Sequence, residues 1–247
     1  MKKKLPKLKI KEFDLTDSAS KRYFNRFLFT EVAPKYHIAT KVLSFGRDKI
    51  WKKKMIKKLP KKEKAVCLDI ACGTGDITFL LAKKYKDGEI IGIDLNEKMI
   101  EIANKLLEYK YNNIKFKVAD MSDAGFNSEQ FDIITGGYAL RNAPDLKKVL
   151  NEIYRIMKYG ANASFLDFSK PNFKLLQIFK LFLLKIWGNI WGIILHKNPD
   201  IYGYIAESLK TFPSRKNFNK LLTECGFKNI KRKKLFFGFT EIVYFTK

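Results

Sequence analysis

The sequence predicts an α/β fold, a doubly wound and mostly parallel seven-stranded sheet with extra helices before it and after its fifth strand. Three observations predict it. Short apolar, partly β-branched runs recur through the centre of the chain; stretches with helical spacing alternate with them; and a glycine-bearing turn leaves the first run while an acid closes the second. Taken in order, residues 1–20 are basic and polar and read as a loose terminus. From Lys21 to Leu59 apolar residues fall at helical spacing (Phe24, Phe27, Leu28, then Val42, Leu43, then Ile50, Trp51, Met55), which predicts two or three short helices. Ala65–Ile70, Ile90–Leu95, Ile114–Ala119, Phe131–Thr135 and Ala163–Phe168 read as strands. Helical stretches separate the first three and precede the fifth; in Asn96–Glu108, for example, Met99, Ala103, Leu106 and Leu107 share a face. A helix over Arg215–Cys225 stops at Gly226, and Phe227–Lys247 makes two further strands around Gly238. With no internal repeat and no Gly/Ser or Pro linker, residues 21–247 read as one domain, with N-terminal helices over 21–60 and a helical insertion over 172–212.

Composition narrows the function classes. Of 247 residues, 46% are hydrophobic, enough to build a large interior and too many for a disordered chain. Lys and Arg number 49 against 25 Asp and Glu, a net charge of +24 spread along the whole chain. Lysine-rich solvated helix faces account for it as well as attraction to an anionic partner, nucleic acid or membrane headgroups. Cys67, Cys72 and Cys225 are odd in number and lack C-x-x-C spacing, so neither a disulfide framework nor a zinc site is expected. Their apolar or Gly-rich contexts suit reduced thiols in a cytoplasmic protein. The basic start is followed by no apolar run before Lys11, so no export signal is read there.

The turn after the first strand, Asp69-Ile70-Ala71-Cys72-Gly73-Thr74-Gly75-Asp76, is built for close approach of a ligand to backbone. Asp94 closes the second strand, placed to accept both hydroxyls of a ribose. A dinucleotide fingerprint needs a third glycine where Thr78 stands, and Asp76 in the first helical turn would repel a diphosphate. A phosphate-free nucleoside with a cationic end fits better. S-adenosylmethionine, with its ammonium and sulfonium, meets that description, and Asp69 and Asp76 would supply negative charge beside it. Downstream, Asp120 ends the third strand where an acid can take the adenine amino group, Met121 can pack on its face, and Gly136-Gly137-Tyr138 offers bare backbone. Cofactor-binding candidates are therefore Asp69, Gly73, Thr74, Gly75, Asp94, Asp120, Met121 and Gly137, with no metal ligands.

Several segments together resemble the C-methyltransferase family of ubiquinone and menaquinone biosynthesis, demethylmenaquinone methyltransferases included. They are Leu43-Ser44-Phe45-Gly46 with Trp51, Leu68–Asp76, Asp94-Leu95-Asn96 with Met99, Phe131–Thr135, Leu140-Arg141-Asn142, Asp167-Phe168-Ser169-Lys170-Pro171, and Tyr204-Ile205-Ala206-Glu207-Ser208. The cofactor segments are common to many class I, Rossmann-like methyltransferases, whereas the last three are more particular. The resemblance implies cofactor contacts at Thr74, Asp94, Asp120, Met121 and Gly137. The sequence departs from the family's usual residues at His37 and Thr40 (Asp and Asn), Gly137 (Ser), Asp120 (Asn) and Asp167 (Glu).

Methyl transfer to a ring carbon asks for alignment, exclusion of water and stabilisation of a phenolate, since phenols titrate near ~10. The residues read for that work are Arg141 and Asn142, orienting or polarising the ring oxygen, and Tyr202, Tyr204 and Glu207 on the acceptor side. Against this stand a structural ion pair for Arg141 and plain core packing for the tyrosines. His37 and His196 read as structural histidines more readily than as bases. Phe173–Leu195 is greasy but interrupted by Lys174, Lys180 and Lys185 and by Gly188, Asn189 and Gly192. It reads as a lid or an interfacial helix pair with its lysines reaching outward, not as a membrane span. The expected partners are thus a lipophilic quinol and an anionic membrane surface on the cytoplasmic side, with a homodimer left open. A nucleic-acid methyltransferase is disfavoured: neither Asn/Asp-Pro-Pro-Tyr nor Pro-Cys occurs. Another phenolic or lipid acceptor, or a non-catalytic cofactor-binding scaffold, also remains open.

Overall fold

The structure is a computed structural model and describes residues 8–108 and 111–247. Three helices come first: α1 (Ser18–Val32), α2 (Tyr36–Leu43) and α3 (Asp48–Lys57). The Asp17 side chain caps α1 by accepting the Ser20 N–H. The alternating core follows as β1 (Val66–Ile70), α4 (Asp76–Lys84), β2 (Glu89–Asp94), α5 (Glu97–Leu107), β3 (Ile114–Val118), β4 (Phe131–Gly137), α6 (Leu146–Ile156) and β5 (Met157–Phe168). Two helices, α7 (Lys174–His196) and α8 (Asp200–Thr211), then precede α9 (Arg215–Glu224), β6 (Lys228–Leu235) and β7 (Thr240–Thr246).

The seven strands lie in the order β3-β2-β1-β4-β5-β7-β6, all parallel except β7, which runs antiparallel to both neighbours. Helices cover both faces, so central strands read as unbroken apolar runs instead of alternating. Leu68, Ile70, Ile90, Ile93 and Ile134 are accordingly buried. The connections run to one side from β1 through β2 to β3 and then to the other from β4. That reversal opens a crevice at the carboxyl ends of β1 and β4, where ligands bind in such sheets.

Several expectations need correction. Residues 8–17 are not loose. Leu8 is buried, Ile10 N–H donates to Asp200, and Asn198 donates to the Leu8 carbonyl, so this stretch straps the start of α8. Residues 1–7 of the same expected terminus lie outside the described residues. Nor is Phe173–Leu195 a helix pair: α7 is one continuous helix of 23 residues. It survives its glycines because they are contact points: a Cβ on Gly188 would sit 2.4 Å from the Tyr202 carbonyl, and one on Gly192 2.5 Å from that of Asn198. The helix therefore lies backbone against backbone on α8. Lys180 does not reach outward either. It is buried, donating to the carbonyls of Ser169 and Gly238, and burial lowers its ammonium to about 7. By length and composition α7 is apolar enough to cross a membrane, yet one face is fastened to the fold through Lys180, Leu184, Gly188 and Gly192. Its other face leaves large side chains such as Leu175, Ile178, Phe179, Phe182 and Ile194 exposed.

The fifth strand is longer than expected. β5 begins at Met157, six residues before the expected start, through a polar stretch containing Lys158 and Asn162 that pairs with β4 around a register shift. Pairing with β4 on one side and β7 on the other made this stretch extended, not apolar pattern.

Candidate active site

A cleft opens over the carboxyl ends of β1, β2 and β4. One end is lined by Gly73, Asp94, Leu95, Met99, Asp120, Met121 and Gly137. The other lies under α1, α2 and α8, with Phe29, Val32, Leu43, Ile201, Tyr202 and Ile205 on its walls and Arg141, Asn142 and Tyr204 beside them.

At the first end the turn geometry follows from two side chains. Asp94 accepts the Gly73 N–H at 2.8 Å and the Asn96 N–H at 2.9 Å, locking the turn after β1 to the end of β2. Each carboxylate oxygen keeps a lone pair for a ligand hydroxyl. Burial raises the Asp94 carboxyl above its ordinary value, opposed by these two N–H groups. Asp120 pairs with Arg22 and accepts the Ser122 N–H and hydroxyl, while remaining on the cleft wall beside Met121. Gly137 and Gly73 face the cleft as bare backbone.

Four expected cofactor-side residues stand elsewhere. Asp69 is wholly buried behind the turn, where Thr78 and Thr135 donate to its two oxygens at 2.7 and 2.9 Å. Burial raises its carboxyl to about 6. It braces β1, α4 and β4 and offers no charge to a ligand. Thr74 is buried in the turn without reaching the cleft. Gly75 caps α4 with φ of +88°, and a Cβ there would lie 2.7 Å from the Phe116 ring, so packing and backbone conformation account for it. Asp76 is not a free anion: the buried Lys52 ammonium bonds to it at 2.9 Å and to Asp48 at 2.7 Å, and Tyr138 donates to Asp48. Those acids hold the Lys52 ammonium above its ordinary range against the opposing effect of burial.

On the acceptor side, Arg141 and Asn142 form the short 3-10 turn Leu140–Asn142 after β4. Arg141 is buried; its Nε meets Asp167 at 3.3 Å and its Nη1 donates to Ser208 at 2.6 Å and Asn142 at 3.2 Å. The Nη2 group has no protein acceptor among the described residues. Arg141 is therefore both an internal ion pair and a cleft residue. Asn142 is committed on both ends of its amide, donating to the Tyr138 carbonyl and accepting from Arg141. Tyr204 donates to Asn25 at 2.6 Å, and Tyr202 meets the His196 imidazole at 2.9 Å. Burial raises both phenols. Glu207 does not join them. It faces away, bonded to Lys185 at 3.0 Å and Lys210 at 2.6 Å. Tyr204 and Ser208, four apart, share the buried face of α8, while position 207 points toward α7.

Tyr36, Lys52, Arg22 and Asn25 escaped the sequence reading. Tyr36 lies on the cleft wall against Gly73, and its phenol, raised by burial, faces the Lys52–Asp48–Asp76 cluster. All four sit on the N-terminal helices, and only the tertiary fold brings those helices over the sheet.

The chain matches the ubiE/COQ5 methyltransferase family over residues 16–247. It belongs to that family. Among its relatives, the demethylmenaquinone methyltransferase of Lactobacillus johnsonii is 36% identical over 214 residues, covering 85% of this chain and 87% of that one. The ubiquinone/menaquinone biosynthesis C-methyltransferase UbiE of Rickettsia bellii is 36% identical over 222 residues, covering 87% and 89%. Of solved structures, a SAM-dependent methyltransferase from Aquifex aeolicus superposes with a TM-score of 0.56 at 18% identity, covering 78% of this chain and 88% of that one. The chain is thus an S-adenosylmethionine-dependent methyltransferase with the class I fold. The donor set fits that cofactor: an acid with free lone pairs ends β2, apolar Leu95 and Met121 flank it, and Gly73 and Gly137 bring backbone to the cleft wall.

Proposed function

We propose that the enzyme methylates a ring carbon of a lipophilic quinol, converting demethylmenaquinol to menaquinol or the corresponding ubiquinone precursor. The observation that carries this reading is the single cleft joining the Asp94–Gly137 end to an apolar chamber that holds only a few polar groups. The named activities of the two relatives above agree with it. S-adenosylmethionine, when bound, supplies an electrophilic methyl group. Asp94 would hold the ribose, Asp120 and Met121 would receive the adenine, and Gly73 and Gly137 would present backbone to the cofactor. Arg141, through its open Nη2 group, stabilises the developing phenolate, and Asn142 fixes the guanidinium by accepting from Nη1. Tyr204 positions Asn25, and Tyr202 lies along the chamber wall. The test is label transfer from S-adenosylmethionine to a panel of short-tailed demethylated benzoquinols and naphthoquinols. Incorporation into ring carbon supports the reading; incorporation only into RNA or only into oxygen overturns it.

The partner proposed for the exposed face of α7 is an anionic bilayer on the cytoplasmic side, the phase in which a lipid-tailed quinol resides. Phe237 is 98% exposed and Phe45 stacks on Trp187, so the apolar surface continues beyond the helix. Exposed Lys41 and Arg47 flank it, and the chain carries +24. Flotation with anionic vesicles at low salt should carry the protein upward, and Phe179→Ser with Phe182→Ser should abolish it. Absence of flotation, or a lipid-independent dimer that buries this face, refutes the membrane partner.

A further inference from the structure

His196 is the last residue of α7, and Tyr202 lies in the first turn of α8. Between them the chain reverses through Lys197 in the left-handed region (φ 56°) and Asn198, whose side chain accepts the Asp200 N–H. The reversal sets the two rings edge to face at 5.4 Å with Nε2 and Oη 2.9 Å apart. On the far side, Nδ1 lies 3.7 Å from Glu31 on α1. The His196 side chain is 3% exposed, that of Glu31 is 40% exposed, and Tyr202 lines the cleft. Titratable groups therefore stand in line from the acceptor chamber to the partly exposed Glu31, with a gap of 3.7 Å between the last two.

We propose that Tyr202, His196 and Glu31 form a proton relay that removes the proton released when a phenolic acceptor is methylated. The inference rests on the phenolic reading of the acceptor given above. The groups facing His196 set its state. Glu31 on α1 favours the imidazolium, while burial, the strongest influence, and Lys35 in the turn after α1 oppose it, leaving the imidazole below its ordinary value. Tyr36 at the start of α2 and Glu31 both act on the Tyr202 phenol, which burial keeps protonated. The Glu31 carboxylate draws the imidazole proton to Nδ1, leaving Nε2 to accept from the Tyr202 hydroxyl.

In the reaction, the acceptor hydroxyl passes its proton to Tyr202 Oη as Tyr202 passes its own to Nε2. The ring carbon forms its bond to the methyl carbon, and the sulfur–carbon bond breaks with its electron pair staying on sulfur. Tautomerisation of the methylated ring returns its hydrogen to the ring oxygen. One proton is left over, on His196, and it leaves to water beside Glu31. In this relay Tyr202, on the chamber wall, is the catalytic residue that would meet the acceptor hydroxyl; His196 and Glu31 act through it.

The test combines kinetics with proton NMR of the imidazoles, which is simple because the chain has only His37 and His196. In the wild type, kcat should fall on the acid side along a limb whose midpoint matches the His196 titration. His196→Gln should lower kcat ~100-fold, the lower end of what a positioned acid–base group contributes. It should remove that limb and leave KM for S-adenosylmethionine unchanged. Tyr202→Phe and the double variant should cost about the same as His196→Gln, because groups acting as one unit are not additive. Glu31→Gln, a change at a partly exposed carboxylate, should move the kinetic limb and the NMR midpoint to lower pH together. His196→Gln within threefold of wild type, additive double-variant losses, or a kinetic limb that stays while the NMR midpoint moves each overturns the relay. A wild-type enzyme that methylates no phenol at all overturns the acceptor reading instead, before any variant is compared.

Discussion

Replacing Asp94 with Asn tests the cofactor end of the cleft with the least change of shape. The carboxylate now accepts two backbone N–H groups, at 2.8 Å from Gly73 and 2.9 Å from Asn96. An amide has one oxygen, so in either orientation one of those N–H groups meets a donor. Leaving it unsatisfied costs ~1–3 kcal/mol, which at about 2–4 °C per kcal/mol for a chain of this size lowers Tm by roughly 2–12 °C. On the ligand side, the two ribose hydroxyls lose a charged acceptor worth ~1.5–3 kcal/mol per bond, and one of them loses its acceptor outright. The combined loss of ~2–4 kcal/mol raises the Kd for S-adenosylmethionine by about 30- to 1000-fold. Calorimetric titration with the cofactor and with S-adenosylhomocysteine measures it, alongside thermal unfolding. Because burial raises the wild-type carboxyl, its affinity should also weaken as pH falls through that raised value. The variant should lack this acid limb. An unchanged Kd together with a lowered Tm would show that Asp94 only locks the turn, and the ribose assignment would be lost.

Asp69→Asn should change how stability depends on pH. A folded-state value raised from 3.8 to about 6 means the folded protein holds that proton more tightly than the unfolded chain. Its contribution is therefore full below pH 3.8 and disappears as pH rises through about 6, a difference of ~3 kcal/mol. The wild-type minus variant difference in denaturant midpoint should fall over that window, and a flat difference refutes the argument. Arg141→Met strands Asp167 in the interior and should cost ~3–5 kcal/mol of stability in chemical denaturation. Adding Asp167→Asn should recover most of that, and a single-variant cost below about 1 kcal/mol contradicts the buried pair. Gly188→Ala puts a methyl 2.4 Å from the Tyr202 carbonyl, forcing α7 from α8. A loss of ~1–3 kcal/mol in thermal unfolding is expected; unchanged stability would mean that the two helices do not touch there.

The sequence determined the local physics by itself. Apolar runs bounded by glycine, acids at strand ends and helical spacing between them specify which segments become strands and helices, because each depends on neighbours within a turn or two. That is why β1, β2, α5 and the turn carrying Gly73 stand where their residues indicated, and why Asp94 reaches the cleft. Tertiary structure alone decided which polar groups face a ligand and which face one another. Asp69 and Asp76 look alike in sequence, two acids at either end of one turn. Yet packing turns the first inward onto Thr78 and Thr135 and gives the second to Lys52, which comes from a helix 24 residues earlier. Glu207 was lost to the site by the presence of Lys185 on α7, and His196 gained its place by the return of α8. Charge compensation in a buried place depends on whatever is nearest in space, and separation along the chain carries no record of that distance.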